Sequence, residues 1–206
     1  MVYIVEGIDG SGKSSVCKYL NEYLESISKK SVILREPGGT KEAEYIRNII
    51  KDPNVKISKE QQLQLFILAR YFITNYIRHD VFNTDYILDR FIPSTIAYQH
   101  YGLGLSLELI QKLHDNITPY SKTILEYSTI IYLKTDPEVA LSRILKRGDV
   151  PDKFEKIDFL QKVSDGYDKF FKTKPSKRFI QIDTSNRTEK QVCKELQKAI
   201  EVDLCQ

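Results

Sequence analysis

A glycine-rich segment near the start of the chain has the residue types and spacing of a phosphate-binding loop. Gly7, Gly12, Lys13 and Ser14, within the segment VEGIDGSGKSS, match the pattern G-x-x-x-x-G-K-[ST]. Glycines permit backbone conformations with positive φ and let main-chain N–H groups approach phosphate oxygens. The lysine can span the outer phosphates of a nucleotide, and the serine hydroxyl can ligate Mg²⁺. The segment therefore predicts a nucleoside triphosphate site.

The position of this segment also fits phosphate binding. It lies directly after a predicted strand and opens a predicted helix, whose positive N-terminal end attracts phosphate. The residues expected to contact the triphosphate are Gly7, Asp9, Gly10, Ser11, Gly12, Lys13, Ser14 and Ser15. The sequence contains neither an N-K-x-D guanine motif nor a separate D-x-x-G switch, which argues against a regulatory GTPase. A small-molecule kinase is the favoured class.

Short apolar runs alternate with longer helical patterns along the chain. The predicted strands are Val2–Gly7, Val32–Glu36, Tyr86–Arg90, Thr129–Thr135 and Arg178–Asp183. The predicted helices are Lys13–Ser28, Lys41–Lys51, Lys59–Arg78, Leu105–Asn116, Pro137–Arg147, Phe154–Phe171 and Glu189–Val202. Several strands are apolar at successive positions, which is typical of a parallel sheet covered on both faces. We expect one α/β domain over residues 1–206, with five parallel strands flanked by helices.

The composition indicates an ordinary soluble globular protein. Of its 206 residues, 41% are hydrophobic and 29% are charged. A net charge of +3 is too small to indicate nucleic-acid binding. No apolar run approaches the roughly 20 residues of a membrane span, and charged residues interrupt any signal-peptide pattern. The three cysteines, Cys17, Cys193 and Cys205, form no paired motif and indicate reduced thiols, so we expect a cytoplasmic protein without membrane or nucleic-acid partners.

Three further stretches point to one family of kinases. They are REPGGT (Arg35–Thr40), LFILAR (Leu65–Arg70) and DRFIPSTIAYQ (Asp89–Gln99), and they occur in the order and spacing of the thymidylate kinases. GDVPDKFE (Gly148–Glu155) is similar to the end of the lid in that family. The chain thus resembles a thymidylate kinase. The resemblance implies a P-loop kinase fold with a short lid (about 143–156), ATP and dTMP as substrates, Mg²⁺ as cofactor, and a homodimer.

The first two stretches carry residues for the acceptor. Pro37 and the glycines after it force a turn beyond a strand's C-terminal end, where open α/β sheets bind ligands. The family's matching turn lines the monophosphate site, which implies roles for Glu36 and Pro37. Phe66 and Arg70 share a helix face; a phenylalanine there is more often core, but its family counterpart stacks on thymine and the arginine binds the ring. Ala69 stands where bacterial members usually carry Asp, which leaves altered ring recognition open.

The third stretch begins with a carboxylate and a guanidinium at a strand end. Asp89 can hold Mg²⁺ through water, and Arg90 can bind phosphate oxygens bidentately, although a plain ion pair at the end of the strand is the alternative. The resemblance assigns these two residues to the metal and to the acceptor phosphate. It also implies that Thr95 and Gln99 approach the base, and that Tyr98 lies against the sugar and favours deoxyribose.

Positive charge is concentrated after the fourth predicted strand, at Arg143, Lys146, Arg147, Lys153 and Lys156. An arginine at the transferring phosphoryl group can raise the rate by about 10³-fold or more. In the thymidylate kinases it comes from the phosphate loop or from the lid, and this loop offers Gly10 and Ser11. We therefore expect the lid to supply it, with Arg147 as first candidate and Arg143, also assigned to ATP, as second. Lys153 lacks the planar fork of an arginine.

The predicted catalytic residues are Lys13, Arg90, Arg147 and Asp9. Asp9 is either a solvated loop carboxylate or, as the resemblance implies, a contact to the sugar hydroxyl of the acceptor. No general base is needed, because the second pKa of a phosphate ester is about 6. The alternatives are a deoxynucleoside kinase with Glu36 as base, a broad-specificity deoxynucleoside monophosphate kinase, and a nucleotide-binding regulatory protein. The three histidines lack metal-ligand spacing, and we assign them no role.

Overall fold

A parallel sheet forms the centre of the protein. The computed structural model describes residues 1–80, 82–146, 156–173 and 175–204. Its strands are β1 Val2–Glu6, β2 Ser31–Arg35, β3 Asp85–Asp89, β4 Thr129–Lys134 and β5 Arg178–Asp183. They pair in parallel in the order β2-β3-β1-β4-β5. The predicted α/β fold with five parallel strands is confirmed, and each strand begins and ends within one residue of its predicted bounds.

Helices cover both faces of this sheet. They are α1 Lys13–Ser26, α2 Lys41–Lys51, α3 Lys59–Asp80, α4 Ile92–Thr95, α5 Leu107–Ile117, α6 Ser121–Tyr127, α7 Pro137–Lys146, α8 Ile157–Phe171 and α9 Glu189–Leu204. The sequence analysis missed α4 and α6, which are too short to show an apolar period. It also missed the π-helical turn Ile96–Gly102 that continues α4. None of the described helices is both long and apolar enough to cross a membrane.

The strand β1 shows why the strands are apolar at successive positions. Tyr3 and Val5 face one side of the sheet, where they pack with α1 and α9. Ile4 faces the other side, where it packs with residues of α3, α6, α7 and α8. Both layers are buried, so a polar side chain on this strand is placed in the interior wherever it points.

The strand register brings the three sequence motifs to one edge. Val5 of β1 and Arg35 of β2 are both paired with Asp89 of β3, so these strands end at the same level. Main-chain hydrogen bonds continue beyond the strands, from Glu36 N to Asp89 O at 2.9 Å and from Arg90 N to Val5 O at 3.1 Å. The phosphate loop, the REPGGT turn and the Asp-Arg pair therefore leave the sheet side by side.

Candidate active site

The loop between β1 and α1 has the backbone that its glycines predict. Gly7, Gly10 and Gly12 have φ values of 149°, 80° and 94°. A Cβ atom on Gly10 would lie 2.3 Å from the carbonyl oxygen of Ala140 in α7, so the loop can pass this helix only as glycine. Ser11 N closes the turn by donating to Ile8 O at 3.2 Å. The result is a compact loop that ends at the positive N-terminus of α1.

Lys13 is folded back over this loop. Its Nζ donates to the carbonyl oxygens of Gly7 at 3.0 Å and Ile8 at 2.9 Å. An ammonium group has three N–H donors, so a further donor remains beyond these two hydrogen bonds. Burial, together with the charge of Arg90, lowers the pKa of Lys13. The charges of Asp9, Asp89 and Glu6 act on this pKa in the opposite direction. A phosphate oxygen next to Nζ would give the cation a direct ionic partner in addition to the two carbonyl oxygens.

The next two serines lie on the first turn of α1. Ser14 is exposed and Ser15 is half-buried. Ser11 is buried, and its Oγ has no hydrogen-bond partner among the described residues. The loop thus combines backbone donors with three hydroxyl groups around one helix end.

An ion pair connects the phosphate loop with the end of β3. Arg90 Nη2 donates to Asp9 Oδ1 at 2.6 Å, and Tyr98 OH donates to Asp9 Oδ2 at 2.7 Å. The Arg90 guanidinium also lies over the Tyr98 ring, 4.8 Å from its centroid. Burial raises the pKa of the Asp9 carboxyl, but Arg90 and Lys13 outweigh it and hold this pKa below its usual value. Asp9 is therefore an ionised partner of Arg90, which excludes a merely solvated loop carboxylate.

A second ion pair joins the REPGGT turn to α3. Arg70 Nε donates to Glu36 Oε1 and Oε2 at 3.0 and 2.9 Å, and Arg70 Nη2 also donates to this carboxylate. Arg70 Nη2 donates in addition to Thr95 Oγ1 at 2.9 Å, and Arg70 Nη1 contacts His114 Nε2 at 2.5 Å. The Glu36 and Arg70 side chains are only 5% and 2% exposed, so this pair is almost free of water.

Three other predicted acceptor residues lie on the segments that carry this pair and Thr95, or directly follow those segments. Phe66 lies one turn before Arg70 on α3 and is half-buried, and it belongs to none of the four buried apolar clusters of the described chain. Pro37 is half-buried in the turn, and Gln99 is buried on the π-helical segment. Ala69 packs against α2, so the departure from the bacterial pattern lies at a contact between two helices.

Comparison with known proteins identifies the family of the chain. Residues 5–195 match the family model for thymidylate kinase. The thymidylate kinase of Kosmotoga olearia is 35% identical over 201 residues, covering 92% of each chain, and that of Thermoanaerobacter sp. is 38% identical over 180 residues, covering 86% of each. The crystal structure of thymidylate kinase from Ehrlichia chaffeensis superposes with a TM-score of 0.72 at 31% identity and 98% coverage of both chains. The chain belongs to the thymidylate kinase family.

Within this thymidylate kinase fold, Glu6 is a site residue that the sequence analysis missed. It is the last residue of β1 and is fully buried. Its carboxylate accepts hydrogen bonds from Phe91 N at 2.7 Å, Ser94 Oγ at 2.7 Å and Tyr167 OH at 2.8 Å. Ser94 and Tyr167 in turn accept from Arg90 Nη1 at 3.0 and 3.3 Å. Burial raises the pKa of Glu6. The signal for it was an acidic residue inside an otherwise apolar strand.

Arg47 is a second residue next to the site that the sequence analysis missed. It lies half-buried on α2, and its Nη1 donates to Pro37 O at 2.6 Å. Burial and the charge of Arg35 lower the pKa of Arg47, and the charges of Asp89 and Arg90 also act on it. Arg47 is thus close enough to the cations of β2 and of the end of β3 to interact with them electrostatically. The available signal was an arginine directly after an apolar residue on the predicted helix that follows the turn.

The donor groups at this edge fit Mg²⁺ bound together with a nucleotide. Asp89 Oδ1 is buried and has no hydrogen-bond partner in the described part of the chain. The exposed Ser14 hydroxyl is the second oxygen donor. Residues 1–80, 82–146, 156–173 and 175–204 contain no cluster of three or more His, Cys, Asp or Glu that could hold a metal ion by itself. Mg²⁺ usually combines one or two protein oxygens with water and substrate phosphates, which matches this set.

The described part of the predicted lid connects to the phosphate loop. Arg143 Nη1 donates to Gly10 O at 3.4 Å and to Thr184 Oγ1 at 3.2 Å, and its Nη2 donates to Thr184 O at 2.6 Å. Arg143 therefore links the loop with the segment that follows β5, on the side expected for ATP. Arg147, Lys153 and the GDVPDKFE stretch lie outside the described residues, so the lid arginine stays a prediction.

Proposed function

We propose that this member of the thymidylate kinase family transfers the γ-phosphoryl group of ATP to dTMP, giving dTDP and ADP for dTTP synthesis. An oxygen of the dTMP phosphate forms a bond to the γ-phosphorus while the bond from that phosphorus to the ADP oxygen breaks. The observation that carries the proposal is the 2.6 Å contact between Asp9 of the phosphate loop and Arg90 at the end of β3. This contact supports an arrangement in which the donor loop and the acceptor-binding cation lie within reach of the same phosphoryl group.

On the donor side, the chain holds the triphosphate and neutralises its charge. The glycine backbone and the N-terminus of α1 bind phosphate oxygens, and Lys13 exchanges its carbonyl partners for the β- and γ-phosphates. Arg143 binds at the nucleotide side of the loop. Arg147 of the lid stabilises the negative charge of the transferring group. These roles are chiefly electrostatic, so they depend on the accurate placement of the charged groups and not on proton transfer.

On the acceptor side, the residues bind the phosphate, the sugar and the base separately. Arg90 binds the monophosphate, because its Nε–H has no hydrogen-bond partner among the described residues while Nη1 and Nη2 already have partners. Asp9 and Tyr98 lie against the deoxyribose. Phe66 stacks on the base and Arg70 binds its carbonyl edge; Glu36, Pro37, Thr95 and Gln99 complete the pocket.

Mg²⁺ is the proposed cofactor, held by Ser14 directly and by Asp89 through water. When bound, it neutralises charge on the phosphates. The buried, unpartnered Asp89 Oδ1 supports this assignment. Removal of free Mg²⁺ by a chelator should abolish transfer, and Asp89→Asn should raise the Mg²⁺ concentration needed for half-maximal rate.

We also propose a homodimer in the cytoplasm. Exposed apolar side chains occur on two neighbouring helices, Tyr45 and Ile49 on α2 and Leu68 and Tyr71 on α3. Such a patch is typical of a protein interface, and a second copy of the chain is the occupant that family membership supports. Sedimentation should give a dimer that Tyr71→Glu converts to a monomer. The free, buried Cys17 and Cys193 support a reducing compartment.

The experiment for the reaction is an ADP-release assay with Mg²⁺ and ATP. It compares dTMP with every other common nucleoside monophosphate and with free thymidine, and it uses Lys13→Ala as the inactive control. We expect dTMP to be the preferred acceptor. Equal use of dGMP or dAMP would indicate a broad deoxynucleotide kinase, and activity on thymidine alone a deoxynucleoside kinase. Tight ATP binding with no turnover would indicate a regulatory protein.

A further inference from the structure

His114 of α5 contacts the arginine that is proposed to bind the base. It is 3% exposed. Its Nδ1 lies 2.8 Å from Ile110 O, and its Nε2 lies 2.5 Å from Arg70 Nη1. A carbonyl oxygen only accepts and a guanidinium only donates, so the two contacts together require a proton on Nδ1 and a free lone pair on Nε2. The neighbours of His114 thus fix one neutral tautomer.

This contact has a consequence for the donors of Arg70. A guanidinium has five N–H groups. In the structure Nε–H binds Glu36, the two Nη2–H groups bind Glu36 and Thr95, and one Nη1–H binds His114. One N–H on Nη1 therefore has no partner among the described residues. Glu36 fixes one edge of the guanidinium, and His114 fixes the nitrogen that carries the remaining donor.

We propose that His114 is a positioning residue for base selection: as a neutral acceptor it fixes Nη1 of Arg70, so that a single N–H is directed at a carbonyl oxygen of the acceptor base. This proposal rests on the proposed function, which brings a base to Arg70. A pyrimidine with a ring carbonyl at that edge gains the hydrogen bond. Cytosine carries an amino group in place of that carbonyl. This amino group would face the N–H donor of Arg70 without forming a hydrogen bond, so cytosine is selected against.

The charges around His114 keep it in the acceptor form. Arg70 on α3 faces its Nε2, with Glu36 behind that arginine. Asp115 on its own helix and Lys122 on α6 act at longer range. Burial, followed by the charge of Arg70, lowers the pKa of His114 to about 3. The imidazole therefore remains neutral throughout the pH range in which the enzyme can be assayed.

Two substitutions separate this role from simple packing. His114→Leu removes the acceptor at similar volume, and His114→Gln keeps an acceptor oxygen on a side chain of similar reach. Loss of a hydrogen bond to a charged group corresponds to about 10-fold or more in affinity. We expect His114→Leu to raise the KM for dTMP by about that factor, to leave the KM for ATP within about 2-fold, and to narrow the preference for dTMP over dCMP. His114→Gln should restore most of the dTMP affinity.

The outcomes are distinct. An unchanged dTMP KM in His114→Leu, or equal increases in the KM values for dTMP and ATP, would overturn the positioning role while leaving the proposed function intact. If the wild-type enzyme does not use dTMP as acceptor, both the positioning role of His114 and the proposed function are wrong. If His114→Leu fails to fold, ¹⁵N-histidine NMR of the wild-type enzyme decides: an unprotonated Nε2 between pH 8 and pH 5 is expected, and a protonated one at pH 6 contradicts the proposal.

Discussion

A glutamine in place of Glu36 would leave the guanidinium of Arg70 in the interior without its counter-charge. The carboxylate accepts from both Nε and Nη2 of Arg70. A glutamine amide offers one acceptor oxygen, and its NH₂ group would face N–H donors. Thr95 and His114 are neutral and cannot replace the lost negative charge. The main effect of the change is therefore an uncompensated cation in a site that water does not reach.

The size of this effect follows from the burial of the pair. The side chains of Glu36 and Arg70 are 5% and 2% exposed, so solvent screening is slight. Breaking a buried ion pair on one side costs about 3–5 kcal/mol of unfolding free energy. For a chain of this length, 1 kcal/mol corresponds to about 2–4 °C in Tm, so a decrease of about 6 °C or more is expected. The KM for dTMP should rise with it, because Arg70 is no longer held.

The assay is urea unfolding of Glu36→Gln together with steady-state kinetics. Glu22→Gln is the matched control, because it makes the same chemical change in an exposed pair with Lys18 at 3.8 Å, and its effect should stay below about 0.5 kcal/mol. The double variant Glu36→Leu with Arg70→Met removes both charges, so stability should largely return while dTMP affinity stays low. A loss below about 1 kcal/mol in Glu36→Gln would refute the reasoning, since a desolvated pair costs more.

The other predictions concern the donor lysine, the stacking ring, the lid and acid stability. Lys13→Ala should lower kcat in the ADP-release assay by at least about 100-fold without lowering Tm, because burial disfavours the charge of this lysine and its hydrogen bonds within the described residues are to two carbonyl oxygens. A decrease in Tm would show that Lys13 is structural. Phe66→Ala should raise the KM for dTMP, and it should lower the free energy of unfolding by less than the roughly 3–5 kcal/mol expected for a core phenylalanine. An unchanged KM would show that Phe66 is a core residue that does not contact the base. Arg147→Ala should lower kcat by about 10³-fold, and near-normal turnover would move the lid role to Arg143 or Lys153. The pKa of His114 is lowered from 6.5 to about 3, so the unfolded chain takes up the proton first and stability falls as the pH falls between these values. Between pH 7 and pH 5, wild type should lose about 2 kcal/mol more than His114→Gln in urea unfolding, and parallel curves would contradict this.

The features that the sequence could predict are local. The phosphate-loop motif occupies eight successive positions, from the residue after a strand to the first turn of a helix, and its glycines have the positive φ values that the pattern requires. The strands are apolar runs between turn residues, so their bounds are also local. Glu36, Phe66, Arg70, Thr95 and Tyr98 were named through the family resemblance, and their roles as ligands remain predictions, although the structure brings Glu36, Arg70 and Thr95 into direct contact.

The features that were missed depend on contacts between distant positions. Glu6 and Tyr167 are 161 residues apart, and Arg70 and His114 are 44 apart. A lone histidine on an amphipathic helix carries no local signal that its Nε2 will meet a guanidinium. The π-helical turn Ile96–Gly102 likewise packs against α8, which is distant in sequence, and the hydroxyl group of its Tyr98 reaches across to the phosphate loop. Neither contact can be read from the residues next to the turn.

The two ion pairs of the site differ in what a substrate can do to them. Glu36 and Arg70 are almost inaccessible, so in the proposed reaction their bond would persist when a monophosphate binds and would hold a fixed donor. Asp9 and Arg90 are 34% and 17% exposed, so an arriving phosphate can share Arg90 without displacing a buried partner. Preformed charges of this kind need little reorganisation when charge develops during phosphoryl transfer. The desolvation cost of Arg70 is therefore offset by Glu36 when the chain folds, and the more exposed pair is the one that the proposed phosphoryl transfer would need to adjust.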